Sequence, residues 1–285
     1  MEKIAVLIDS TSFLSEELKK ELDIRTVYLN IVINNHSYKE IIDMTADKYY
    51  EYLRDTNNSF PTTSQPAIGE VVACLEKLKE EGYTDVIAIA LSSGISGACS
   101  SYTVAGLMVD GINVHPFDSE VSCKPEGWYA IKAANLIKEG KNSNQIISAL
   151  NEMKKVSKAY FMADDLSHLQ RGGRLSGAQA LVGSLLQVKP LLHFEDKIIV
   201  PFQKIRTYKK VVLRMYELFD EFYQEHKGEN IHVCILHVDA IEKAHEIKEY
   251  LKDKYPDIAI EIDAISPVIS THLGLGAIGF GWTIL

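Results

Sequence analysis

The sequence predicts an α/β protein built on a mostly parallel sheet with helices on both faces. Three observations carry that expectation. Apolar runs with the length and composition of buried strands recur at Ile4–Ile8, Asp85–Leu91 and Ile112–Asp118. Stretches of helical period separate them, as strand–helix–strand units require. The run at Asp85–Leu91 breaks into Ser92-Ser93-Gly94-Ile95-Ser96-Gly97 and then a helical pattern. The carboxyl end of such a strand is where an open α/β sheet holds a ligand.

In chain order, Ile4–Ile8 is a strand ending in Asp9-Ser10-Thr11-Ser12, where Asp9 is expected to cap the next turn rather than face a ligand. A short helix to about Leu22 follows. A strand is expected at Thr26–Ile33, turning at Asn34-Asn35 into a second short strand. Thr45 opens a helix through Arg54, and Ile68–Glu80 is another. After Ile112–Asp118, helices are expected at Val121–Lys138 and Ser143–Lys155, then a strand at Tyr160–Ala163. Lys189–Val200 reads as a hairpin in which His193 is a strand residue. Tyr208–His226 is a long amphipathic helix, and Ile231–His237, Ile241–Lys254 and Ile258–Ile262 alternate strand, helix, strand. No element is assigned beyond Ser266.

Composition narrows the function. Of 285 residues, 46% are hydrophobic and 24% charged, which is globular and enough for one large or two modest domains. The net charge is −9 with no dense Lys/Arg block, which argues against nucleic acid as a partner. No apolar run approaches the ~18 residues of a membrane span. Met1-Glu2-Lys3 runs straight into a strand, leaving no room for a signal peptide. The four cysteines are scattered without a CxxC pair, which fits reduced thiols in the cytoplasm and neither disulfides nor a metal site.

Four stretches invite chemistry. The Ser92–Gly97 turn lacks the Lys of a P-loop, the third glycine of a dinucleotide fingerprint and the spacing of a nucleophile elbow. It is either an anion-facing turn or a plain glycine-rich one, and the stretch alone leaves both open. In Pro61-Thr62-Thr63-Ser64-Gln65-Pro66 two prolines frame hydroxyl and amide groups, a rigidity and donor density that favour a binding role. His272, followed by Gly274 and Gly276, stands where small residues permit close approach. Arg171-Gly172-Gly173-Arg174 suits an anion or is a glycine-rich cap with solvated arginines, the latter expected for Arg171.

Together these features resemble the DegV family, the fatty-acid-binding subunits of bacterial fatty acid kinase. The resemblance runs the length of the chain. It rests on Asp9-Ser10-Thr11, Thr62-Thr63-Ser64-Gln65-Pro66, Ser92–Gly97, Asp118-Ser119, Gly173-Arg174-Leu175-Ser176-Gly177, Lys189-Pro190, Arg206-Thr207 and His272-Leu273-Gly274, in the family's order. It implies two α/β domains, 1–158 with the mostly parallel sheet and a smaller 159–285 whose last residues return to the site, with an acyl tunnel between them. It implies that Thr63 and Ser96 bind the acid's carboxylate beside His272, with Thr62 and Ser93 near them. It places Arg174 and Arg206 toward a kinase partner. Ala98 and Cys99 depart from the hydroxyl and Tyr common in relatives, which leaves chain preference open.

The resemblance implies a binding subunit that is not itself an enzyme, with no catalytic residue, metal or cofactor of its own beyond a bound long-chain fatty acid. The expected partners are the ATP-binding kinase subunit, acyltransferases that use acyl phosphate, and transiently a membrane. The chemistry fits. A sixteen-carbon tail offers roughly 10 kcal/mol at ~0.8 kcal/mol per methylene before ordering costs. A buried carboxylate needs donors, and neutral hydroxyls supply them without an ion pair that would dampen its nucleophilicity. The alternative is a serine hydrolase or acyltransferase using Ser96 with His272, although no acidic partner for His272 is evident.

Overall fold

The computed structural model describes residues 2–175 and 189–285; Ser176 and Gly177 of the Gly-Arg-Leu-Ser-Gly motif lie outside the described residues. The first sheet contains β1 (Ile4–Asp9), β2 (Ile24–Val27), β6 (Asp85–Ala90) and β7 (Asn113–Asp118), in the order β2-β1-β6-β7. Every pairing in it is parallel. Every residue of β1 and β6 is buried, as continuous apolar runs in a doubly covered sheet must be. The connecting helices are α1 (Glu16–Leu22), α3 (Ile68–Glu80), α4 (Ala98–Met108), α5 (Lys124–Lys138) and α6 (Ser143–Val156).

The single strand expected at Thr26–Ile33 is two strands. β2 stays in the parallel sheet, while β3 (Asn30–Ile33) leaves it to pair antiparallel with β4 (His36–Lys39) and β5 (Thr62–Ser64). The switch has a local cause. The Leu29 N–H donates to Ser10 Oγ at 2.9 Å, so the ladder is interrupted where the chain changes sheets. Helix α2 (Ala46–Arg54) lies between β4 and β5, and its Thr45 N-cap makes no side-chain capping bond.

The third sheet comes wholly from the later chain. It contains β8 (Lys158–Met162), β9 (Leu191–Glu195), β10 (Ile198–Gln203), β11 (Ile231–His237), β12 (Ala259–Ala264) and β13 (Ile278–Ile284), in the order β10-β9-β8-β13-β11-β12. Only β11 and β12 pair in parallel. Helices α7 (Ser167–Arg171), α8 (Tyr208–Glu225), α9 (Ile241–Lys254) and α10 (Pro267–Leu273) complete the described chain. β13 occupies the middle of this sheet, yet Gly279 and Gly281 weaken its strand signal, which is why sequence reading leaves it unassigned. α10 is hidden for a similar reason, being only seven residues long.

β13 alternates strictly. Phe280 and Trp282 enter an aromatic core with Tyr160 and Phe219. Gly279 and Gly281 face the other side, where a Cβ on Gly281 would meet Pro125 of α5. At Gly279 and Gly281 that face of β13 carries no side chain, and the ground they leave open is where the site lies.

Candidate functional site

Two aspartates at neighbouring strand ends brace the turn after β6. Asp9 Oδ2 accepts the Leu91 N–H at 2.8 Å, while Oδ1 accepts the Thr11 N–H and hydroxyl at 2.9 and 2.6 Å. Asp118 Oδ1 accepts the Ser93 N–H at 3.1 Å and Oδ2 accepts its hydroxyl. The Asp-Ser pairs ending β1 and β7 thus hold both sides of one turn. Asp9 caps, as its position suggests, and does not face the cavity. The Ser93 hydroxyl is committed to Asp118, and Ser93 is not among the residues that line the cavity.

The turn is pressed between two other segments. The β9–β10 hairpin lies on it, with Ser92 Oγ donating to the Lys197 carbonyl at 2.6 Å. A Cβ on Gly94 would stand 2.2 Å from that carbonyl oxygen, so only glycine admits the hairpin. From the other side Gln65 reaches over Gly97 to Ser101, its Nε2 2.7 Å from Ser101 Oγ. A Cβ on Gly97 would lie 1.8 Å from Gln65 Oε1. The Thr-Thr-Ser-Gln-Pro segment therefore packs on the serine-glycine turn, and its first three residues form β5 rather than the loop expected. Thr63 lines the cavity, with Ser64 and Gln65 after it, while Thr62 is exposed and does not.

His272 completes the constellation from the last turn of α10. Its Nε2 lies 2.9 Å from Thr63 Oγ1. Its Nδ1 is buried without a hydrogen-bond partner among the described residues, against Gly172, whose absent Cβ would sit 2.1 Å away. Burial, reinforced by the charge of Arg174 and by His168, pushes its pKa down to about 3. The ring is neutral at physiological pH. With its proton on Nε2 it donates to Thr63 and leaves the Thr63 O–H free for an acceptor in the cavity. His272 meets Thr63 and not Ser96, and no carboxylate bonds its Nδ1, so the described residues form no Ser–His–acid relay.

These groups cap a cavity of about 280 Å³. Thr63, Ser96, Arg174 and His272 supply its polar rim. Leu29, Leu91, Ile95, Val268, Ile269 and Leu273 form one apolar side, and Phe161, Phe194, Leu236 and the bare backbone of Gly279 and Gly281 the other. Thr63, Ser96 and His272 thus converge from three segments distant in sequence. Ser122 and Cys123 also line it, with Cys123 held at φ 62° just before α5. Sequence reading missed these two and the glycine floor. The Gly-Phe-Gly-Trp alternation was the available signal.

The model of the DegV family, described as "Uncharacterised protein, DegV family", matches residues 3–284. The chain belongs to the DegV family. It is 50% identical to protein DegV of Bacillus subtilis over 280 residues, 98% of each chain. It is 46% identical to a DegV domain-containing protein of Listeria innocua over 283 residues, 99% of each. The crystal structure of the Bacillus subtilis DegV, described as a fatty acid binding protein, superposes with a TM-score of 0.94 at 48% identity over 100% of both chains. A fatty acid binding DegV family protein from Streptococcus agalactiae gives 0.92 at 30% identity, again over 100% of both.

Within this DegV fold the two arginines differ. Arg174 is part-buried at the cavity wall, its Nε donating to the Ile95 carbonyl at 3.0 Å and its Nη1 to the Gly172 carbonyl. It ties the serine-glycine turn to the end of α7. Arg206 is exposed just after β10. The neighbouring Ile205 carbonyl accepts the Lys189 N–H at 2.7 Å, and Lys189 Nζ lies 2.7 Å from Asp164 Oδ1. The four cysteines are free thiols, and no described helix is long and apolar enough to cross a membrane.

Proposed function

We propose that this chain holds one long-chain fatty acid in the cavity and presents its carboxylate to an ATP-dependent kinase subunit, which makes the acyl phosphate used in phospholipid synthesis. The observation that carries the reading is a mainly apolar cavity whose rim holds the Thr63 and Ser96 hydroxyls, the neutral His272 imidazole and Arg174. Such a site matches a molecule that is hydrocarbon except for one anionic end. The fatty acid binding described for the Bacillus subtilis and Streptococcus agalactiae proteins supports it.

In this reading Thr63 and Ser96 donate to the carboxylate, and His272 fixes the orientation of Thr63. Each hydrogen bond to the anion contributes about 1.5–3 kcal/mol, offsetting its desolvation, while the Arg174 guanidinium at the rim is turned to the Ile95 and Gly172 carbonyls. The carboxylate oxygen then attacks the γ-phosphorus of ATP on the partner, forming the acyl–phosphate P–O bond as the bond to ADP breaks. The partner supplies nucleotide and metal, and positioning with positive charge does the rest. Arg206 is exposed for that docking, whereas Arg174 acts through the turn that carries Ser96. The acyl chain stays buried, which shields the mixed anhydride from water.

The test is mass spectrometry of the purified protein under native conditions. A co-purified long-chain acid is expected at one per chain. A protein that carries no acid and takes none up from solution would end the reading.

A further inference from the structure

We propose that Phe194 is the partition that sets how long an acyl chain this protein accepts, separating the acyl cavity from a second pocket that opens where β8 and β9 part. The inference rests on the acyl-binding reading above and adds its selectivity device.

The two strands pair only at Tyr160 with His193 and Phe161 with Leu192. Beyond that point β8 continues beside β13, with Ala159 opposite Gly281 and Lys158 opposite Trp282. β9 instead follows β10, with Phe194 opposite Ile199 and Glu195 opposite Ile198. Lys158-Ala159 and Phe194-Glu195 are therefore neighbours in the sheet without a ladder between them. A seam opens in the middle of the sheet.

The second pocket, about 340 Å³, sits on that seam among Glu120, Lys154, Lys158, Asp196 and Lys197. It shares Ala159, Tyr160 and Phe194 with the acyl cavity. These three are not equivalent as a wall. The Tyr160 ring stacks on His193 and Trp282 on the opposite face of the sheet. Ala159 offers one methyl. The Phe194 ring packs tilted beside Phe161, centroids 5.8 Å apart, on the cavity face. Among the described residues that the two pockets share, it is the bulky side chain on the cavity face.

The consequence is a length limit. Each methylene that stays in apolar surroundings adds to affinity, and each that meets the ring must displace it or fold back. Shrinking the ring hands its apolar volume to the chain. Enlarging Ala159 takes volume from the same place.

The experiment measures affinities of saturated acids from twelve to twenty-two carbons by displacement of a fluorescent fatty acid, for the full chain and for Phe194→Leu, Phe194→Ala and Ala159→Leu. Native affinity is expected to rise with length to an optimum and then fall about tenfold or more. Both Phe194 variants are expected to move the optimum at least two carbons longer, and Ala159→Leu to move it shorter. Circular dichroism spectra and thermal melts on the same samples identify the variants that are folded. An unmoved optimum with short acids still bound overturns the partition and leaves the acyl-binding reading standing. Native protein that binds no acid of any length overturns both.

Discussion

Thr63 Oγ1 and His272 Nε2 lie 2.9 Å apart although 209 positions separate them in the chain. β5 brings one and α10 the other, and both elements face the turn that carries Ser96. Thr63→Ala and Ser96→Ala are each expected to weaken fatty acid binding by about 10- to 150-fold, the equivalent of one hydrogen bond to a charged group. Calorimetric titration with palmitate checks this. Unchanged affinity in both variants would remove the head-group assignment.

His272 should not impose pH dependence on binding near neutrality. Its pKa of about 3 keeps it neutral in the folded chain, while an unfolded histidine protonates near 6.5. As pH falls below that value the unfolded state binds the extra proton, so His272 makes the native state less stable on acidification. Binding measured between pH 6 and 8 is expected to be flat in any term due to this ring. An NMR titration showing His272 protonated near pH 6 in the folded protein would contradict it.

Glu40 gives the opposite sign. It is fully buried, accepts from Ser10 Oγ at 2.5 Å and from the Val268 N–H at 3.0 Å in the first turn of α10. Burial, aided by Asp9, pushes its pKa up to about 7. From about pH 4.5 to 7 the unfolded state loses its proton while the folded state keeps it, so stability falls as pH rises through this window. Glu40→Gln removes that slope, leaving those of Asp9 and Glu126, which burial also raises, in both proteins. The melting-temperature difference between variant and native protein should therefore grow in the variant's favour from pH 5 to 7. A constant difference would show that Glu40 does not titrate there.

Gly94 and Gly97 should respond differently to alanine. At Gly94 the obstacle is the Lys197 backbone carbonyl, which belongs to a paired hairpin. At Gly97 it is the end of the Gln65 side chain, which can swing away. Gly94→Ala is expected to cost about 1–3 kcal/mol, lowering the melting temperature by several degrees. Gly97→Ala should cost less, and adding Gln65→Ala should recover part of the loss. A double variant no more stable than Gly97→Ala alone would rule out the steric account.

Arg206→Ala should spare acid affinity and lower acyl phosphate formation with the kinase subunit. Arg174→Ala should reduce both, because its guanidinium joins the Ile95 and Gly172 carbonyls at the cavity wall. A hydroxamate assay beside a binding titration separates the two. Equal behaviour of the two variants would refute the distinction.

Much of this molecule is written locally. Buried parallel strands declare themselves as apolar runs, as in β1 and β6, because burial on both faces demands it. Helices such as α3 and α8 show their period, and the hydroxyl-rich stretches around Thr63 and Ser96 stand out because so many donors rarely gather without use. The resemblance to the DegV family came from the order of such stretches. What no local pattern carries is which distant groups meet. Thr62 and Thr63 are adjacent and chemically alike, and only the packing of β5 decides that Thr63 and not Thr62 lines the cavity. Ser93 looks as good as Ser96 until Asp118 takes its hydroxyl. The glycine floor of β13 reads as a broken strand until Phe161 and Leu236 flank it. Propensity and periodicity act over a few residues, whereas a cavity is the space left between elements, and only their packing determines its walls.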